Sequence, residues 1–171
     1  MMKLLWRVLR KIEDLNRALY YVSSVAIVLS AFILTYEVIV RYILRIPTIW
    51  EIESSVYLTV MATYLGAAFG LRDGAHINID LVTRLLPKSV TEKLSLATAL
   101  ISLVFCLLLA WKGWGMWWEA TARGWRSESL WGPPLTIPYF FLPLGMTLLC
   151  LQYVILISEM IEKRGGANHG S

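Results

Sequence analysis

The feature that most limits the fold of this chain is a set of four long apolar runs, at about residues 19–43, 50–71, 94–118 and 135–161. A helix needs about 20 largely apolar residues to cross a hydrocarbon core about 30 Å thick, and each run supplies them. Strict alternation of apolar and polar residues is missing, so transmembrane strands do not compete. Hydrophobic residues make up 57% of the chain and charged residues 16%. A soluble domain has about 45–50% and about 25%, and the surplus here is gathered in the runs. The 171 residues leave no room for a separate soluble domain. The predicted fold is therefore all-α: one four-helix transmembrane domain over residues 1–171, packed as a compact bundle with short loops.

Lysine and arginine set the expected orientation. Lys3, Arg7, Arg10, Lys11 and Arg17 precede the first run, Arg72, Arg84, Lys88 and Lys93 flank the middle loop, and Lys163 and Arg164 follow the last run. That side carries eleven of the sixteen basic residues; the other has Arg41, Arg45, Lys112, Arg123 and Arg126. The positive-inside rule places both termini and the middle loop in the cytoplasm. Trp111, Trp114, Trp117, Trp118, Trp125 and Trp131 gather near the third loop, as amphipathic rings do at an outer interface. The net charge of +4 does not point to nucleic acid, because the basic residues border apolar runs. Anionic membrane lipids are their expected counter-charge. The first run is expected to be retained, since its leader is long and holds Glu13 and Asp14 and the run exceeds a signal-peptide core.

Between the runs the chain is punctuated. Residues 3–19 repeat apolar side chains at helical spacing (Leu5, Val8, Leu9, Ile12, Leu15 or Asn16, Leu19) opposite a basic face. They form either an amphipathic helix lying in the inner interface or a plain extension of the first span. The middle loop turns at Asp73-Gly74, passes His76 and Asp80, and breaks at Pro87; Ser89 and Glu92 then fit a capping box at the start of the third helix. Pro138 suits the first turn of the fourth helix, whereas Pro143 lies further in and is expected to kink it.

Charges within or beside the runs demand an account, because a charged group in hydrocarbon is costly. Glu37 and Arg41 are four residues apart with the acid first, the favourable order for a same-face pair. Alternatively Arg41 reaches Glu53 across the short outer loop. Either way a structural ion pair fixing helices 1 and 2 is the expectation. The sharper alternative makes Glu37 the coupling carboxylate of a self-contained small transporter of protons or cations, as in small four-helix drug antiporters. In the second run Ala62, Gly66 and Gly70 repeat at four-residue spacing, small residues that let another helix approach.

Catalytic constellations are not apparent. His76 and His169 are the histidines, neither in a run, which argues against a haem-ligating anchor. Cys106 and Cys150 fall mid-run and read as small buried hydrophobes. No phosphate-cradling glycine loop or zinc spacing is present, so an enzyme is not expected.

An ordered set of short motifs resembles a known family. Arg41-Tyr42, Trp50, Glu53, Tyr57, Gly66-Ala67-Ala68 and the segment from Arg72 through Asp73-Gly74-Ala75-His76-Ile77-Asn78-Ile79-Asp80 carry the likeness in the first half. Leu86-Pro87 and Pro138…Pro143-Leu144-Gly145 extend it through the second. The set resembles the small membrane subunit of TRAP (tripartite ATP-independent periplasmic) transporters.

That resemblance implies an accessory role in sodium-coupled uptake of an organic acid, such as a C4-dicarboxylate or sialic acid. A periplasmic solute-binding protein captures the solute, and a large membrane subunit holds the sodium and solute sites. The small subunit packs against that large subunit as scaffold, in the cytoplasmic (inner) membrane. It is expected to hold no cofactor itself, sodium belonging to the large partner. Arg41 and Glu53, with Glu37, are expected to matter for assembly. Arg45, Trp50, Arg123, Arg126 and Trp131 are candidates for touching the binding protein, against a plainer role for each tryptophan as an interfacial anchor. His76 and Asp80 are expected to hold the cytoplasmic loop.

Overall fold

The computed structural model describes residues 2–74 and 88–167, with side chains described over 14–71 and 90–162. It has four long helices: α1 (Met2–Val38), α2 (Glu51–Gly74), α3 (Lys88–Ala122) and α4 (Thr136–Ala167). A π-helical turn, Ile39–Ile43, continues α1. Within these helices the stretches apolar and long enough to cross a membrane are Asp14–Ile43, Glu51–Leu71, Val90–Ala122 and Thr136–Glu162. The all-α, four-span architecture is thus the one the hydropathy dictates.

The arrangement of the four differs from a compact bundle. α1 lies on α2, α2 on α4 and α4 on α3, while α1 only grazes α4. The helices form a row in the order α1–α2–α4–α3, and among the described residues α3 packs against α4 alone. The reason lies in which faces carry small or polar side chains. In α1 the buried positions Asn16, Ser23, Ser30 and Glu37 recur every seven residues, with Ala26 between them and Val40 following in the π turn. In α3 Ala99, Cys106, Gly113 and Ala120 do the same. A period of seven keeps one narrow seam facing one neighbour. Each outer helix therefore has one main partner, α1 reaching α4 besides through Asn16, and exposes the rest, including Phe32 in α1 and Ile101 and Phe105 in α3. α2 has two contact faces: Ser55 and Gly66 meet α1, whereas Leu65 and Ala68 pack on Leu148 of α4.

The helix ends follow local rules. α1 runs unbroken from its N-terminal segment into its span, so the two are one helix and the separate interfacial helix is not formed. The π turn ends with bonds from the Leu44 N–H to the Ile39 carbonyl (3.3 Å) and from the Ile46 N–H to that of Val40 (3.2 Å). Arg45 between them takes φ 57°, the left-handed backbone that glycine adopts most readily at a helix terminus. α3 ends in a Schellman motif: Gly124 has φ 62°, its N–H bonds to Thr121, and the Trp125 N–H reaches back to Ala120. α3 runs from Lys88, and the Ser89 side chain on which the expected capping box depends lies outside the described residues. Pro138 occupies the first turn of α4, and Pro143 sits fully buried inside the helix, where it removes the bond to the Tyr139 carbonyl.

Candidate functional site

The residues bearing on function are the seams between helices and the loops at the end of the row that holds Arg45 and Trp131. At the centre of the α1–α2 seam the Ser30 hydroxyl donates to the Ser55 carbonyl at 3.1 Å, and the Ser55 hydroxyl donates back to the Ser30 carbonyl at 3.1 Å. Thr59 joins them, 3.1 Å from the Ser30 hydroxyl, and donates to the Ser55 carbonyl at 2.8 Å. Only short side chains allow two backbones so close, and in lipid such hydroxyls also supply direction. Toward the N-terminal end of α1, Asn16 donates to Gln152 of α4 at 3.0 Å; both are buried. Tyr20 stacks on Phe69 nearby, ring centres 4.4 Å apart.

Glu37 continues the same seam and is buried, with Arg41 3.0 Å away as its ion-pair partner. The alternative of Arg41 reaching Glu53 is not what the structure has. Glu53 is engaged elsewhere: its carboxylate accepts from the hydroxyls of Ser127 and Ser129, the latter at 2.6 Å. Those serines belong to the α3–α4 loop, which is itself knitted together. The Ser127 N–H bonds to Pro133 and the Leu135 N–H to Trp125, both at 3.0 Å, and the Ser129 hydroxyl accepts from the Gly132 N–H at 3.1 Å. One carboxylate at the start of α2 thus clasps the far hairpin of the row. Its neighbour Glu51 is buried and accepts from the Trp50 N–H at 3.0 Å, and both acids favour the positive end of the α2 dipole.

Of the proposed small face on α2, Ala62 is buried and Gly66 lies against Ser23, where a methyl group would sit 3.4 Å from the serine. Gly70 faces open space, with no atom within 4 Å of where a methyl group would be, so it packs no helix here. The tightest helix approach is elsewhere. A Cβ on Gly145 of α4 would stand 2.7 Å from the Tyr64 carbonyl carbon and as close to its Cβ, so the glycine backbone lies directly on Tyr64 of α2. On α3, Gly113 meets Pro143, 3.2 Å from such a Cβ. Trp114 and Trp117 close the α3–α4 contact around Phe140.

The loop candidates are mostly exposed. Arg45 and Trp50 lie on the loop after the π turn; Arg123 pairs with Glu119 at 3.0 Å; Arg126 donates to the Gly132 carbonyl at 3.3 Å; Trp131 is half-exposed. His76 and Asp80 lie outside the described residues. Ser30, Ser55, Ser127, Ser129 and Gly145 were not singled out as contacts from sequence. For Ser30 a signal exists: a polar residue at every seventh position of a mostly apolar run. For the loop serines none does.

These features define a polytopic all-α membrane protein, a row of four membrane-length helices joined by small and polar seams. The sequence profile described as tripartite ATP-independent periplasmic transporters, DctQ component, matches residues 30–163. The chain belongs to this DctQ family of small TRAP membrane subunits, a transporter component, and with four spans it is a multi-pass protein of the inner membrane. It is also 26% identical, over 149 residues, to the C4-dicarboxylate TRAP transporter small permease protein DctQ of Vibrio cholerae serotype O1. That alignment covers 73% of this chain and 63% of the relative, so the chain spans less than two thirds of that protein's length.

Proposed function

We propose that this chain is the scaffold of a TRAP transporter for an organic acid, packing against a large membrane subunit and helping to seat a periplasmic solute-binding protein. The observation that carries the reading is the family match over residues 30–163, which takes in three spanning helices whole and the C-terminal part of the first. A single row of helices agrees with it: α1 and α3 each leave most of their apolar surface uncovered by this chain, as a subunit made to be flanked would. The relative's name makes a C4-dicarboxylate the first solute to try; sialic acid, which the family resemblance alone suggests, is the next. In this reading sodium and solute bind the large subunit, this chain holds no cofactor, both termini face the cytoplasm, and the loops bearing Arg45, Trp50, Arg123, Arg126 and Trp131 face the periplasm.

A self-contained transporter built on Glu37 draws less support. Its carboxylate is held by Arg41 at 3.0 Å within the α1–α2 seam, an arrangement that favours a pin over a carrier site. The deciding experiment is co-purification. Tagged chain extracted in mild detergent should bring down a larger polytopic protein, and uptake of labelled succinate by vesicles should need both plus the binding protein. Arrival alone, with transport after reconstitution by itself, would reverse the assignment. Within the complex, charge reversal at Arg45 or Arg126 should lower uptake at unchanged membrane abundance; unaltered uptake kinetics would remove those loops from the docking surface.

A further inference from the structure

One face of the α1–α2 pair carries an open cavity of about 360 Å³, bounded by Tyr21, Val25, Ala26 and Leu29 of α1 and by Leu58 and Met61 of α2. Its origin is the seam. Ala26 is buried and too small to fill the space beside the ridge that Tyr21, Val25 and Leu29 form at four-residue intervals, so the ridge and α2 stand apart with a trough between them. From Tyr21 to Leu29 the trough follows α1 for about 12 Å at about 1.5 Å per residue. Its walls are apolar except for the Tyr21 hydroxyl.

The same ridge, one turn nearer the N-terminus, begins with Arg17. This side chain is exposed, it lies in the first turns of the Asp14–Ile43 span, and among the described residues no carboxylate pairs with it. Side chains on a helix lean toward its N-terminus, so Tyr21 leans from the trough toward Arg17. The succession along the helix is a cation, a phenol and then a hydrocarbon trough, the order of groups that matches a phospholipid read from headgroup to tail.

We propose that this trough binds one anionic phospholipid from the leaflet on the side of the chain's N-terminus. Its phosphate lies against the Arg17 guanidinium and the Tyr21 hydroxyl, and one acyl chain lies along Val25 and Leu29 against Leu58 and Met61. The placement of Arg17 decides for a lipid over a partner's helix: a guanidinium at the mouth of an apolar trough, at the edge of the hydrocarbon, meets lipid phosphates in every bilayer, whereas an apolar helix would leave it unpaired. Attraction of a basic side chain to an anionic headgroup corresponds to about fivefold in binding.

The test uses the full chain, with its membrane partner where that co-purifies, delipidated in mild detergent and titrated with phosphatidylglycerol or phosphatidylcholine. The wild type should retain about one phosphatidylglycerol per chain through gel filtration and prefer it over phosphatidylcholine by about fivefold. Arg17→Gln should abolish the preference while leaving the acyl-dependent binding, and Val25→Trp, which fills the trough, should remove retention of either lipid at unchanged helix content. Wild-type preference in Arg17→Gln overturns the headgroup assignment, and wild-type retention in Val25→Trp overturns the trough. A photo-crosslinker at position 25, in native membranes, should give lipid adducts. Adducts with a second protein instead would make the trough a protein interface and overturn the proposal for that reason.

Discussion

α1 and α3 bury the same number of seam positions at the same seven-residue period, and they fill them with opposite chemistry. The α1 seam is polar at every seventh residue, Asn16, Ser23, Ser30 and Glu37, while the α3 seam is small and nearly apolar, Ala99, Cys106, Gly113 and Ala120. Hydrogen bonds have direction, so the α1 seam fixes register as well as proximity: Ser30 pairs with Ser55, and Asn16 picks out Gln152 two helices away. A seam of small apolar residues sets only how near α3 lies to α4. Its alignment comes from the hydrogen bond that the Trp114 indole N–H donates to the Thr147 hydroxyl (3.3 Å), from the aromatic contacts of Trp114 and Trp117 with Phe140 and from the clasp of Glu53 on the following loop. One half of the row is thus aligned along its length, the other at its end.

Both halves depend on the join between α2 and α4, and the largest effect is expected there. Gly145→Val places a branched side chain where even a Cβ would be 2.7 Å from Tyr64 atoms, including backbone that cannot rotate aside. Overpacking of this kind costs about 3 kcal/mol. Thermal unfolding in detergent should show it as a strongly lowered midpoint with loss of monodisperse protein, while Gly115→Ala, which meets open space, should behave as wild type. Equal stability of the two variants would break the claim that the halves meet at this glycine.

A smaller effect, confined to one half, is expected from Glu53. Hydrogen bonds to a charged group contribute about 1.5–3 kcal/mol, and Glu53→Ala removes two that hold the α3–α4 loop to α2. Partial exposure of Ser127 and exposure of Ser129 put the cost at the lower end of that range. The readout is tryptic cleavage after Arg123 or Arg126, slow in the wild type and faster in the variant, with Glu53→Gln intermediate because it keeps one acceptor oxygen. The α1–α2 contact should be unaffected. If cleavage rates match across all three proteins, the loop is held by its own hydrogen bonds and the clasp is incidental.

These contrasts explain what the sequence made legible. Hydropathy alone gives four spans because nothing else accounts for runs of that length, and the Glu37–Arg41 pair follows from four-residue spacing. Spacing misled at Gly70. Residues repeating every four positions drift around a helix with 3.6 per turn, about 40° per step, so Gly70 has swung about 80° from Ala62 and leaves the contact that Gly66 still makes. The partner of Glu53 was illegible for a different reason. It lies in serines 74 and 76 positions away, and a loop serine acquires its role only once folding brings a carboxylate to it. The row itself was hidden because apolar runs say which residues avoid water but not which helix each one faces; the heptads of α1 and α3 hold that information.

The smallest effect, and the sharpest probe of the polar seam, is at Ser30 and Ser55. Interhelical hydrogen bonds in membranes contribute about 0.6 kcal/mol on average. Ser30→Ala removes the hydroxyl that donates to the Ser55 carbonyl, yet that carbonyl still accepts from Thr59 at 2.8 Å, so nothing buried is orphaned. Ser55→Ala removes the sole side-chain donor that the structure gives to the Ser30 carbonyl, and should cost slightly more. The two bonds use different donors and different acceptors, so the double variant should equal the sum of the single ones in a thermal-stability cycle. Coupling well beyond about 0.5 kcal/mol, the ordinary scatter of additive sites, would mean that the four groups act as one unit. Register along α1 would then be set cooperatively at a single point, and the even spacing of its polar residues would be incidental to it.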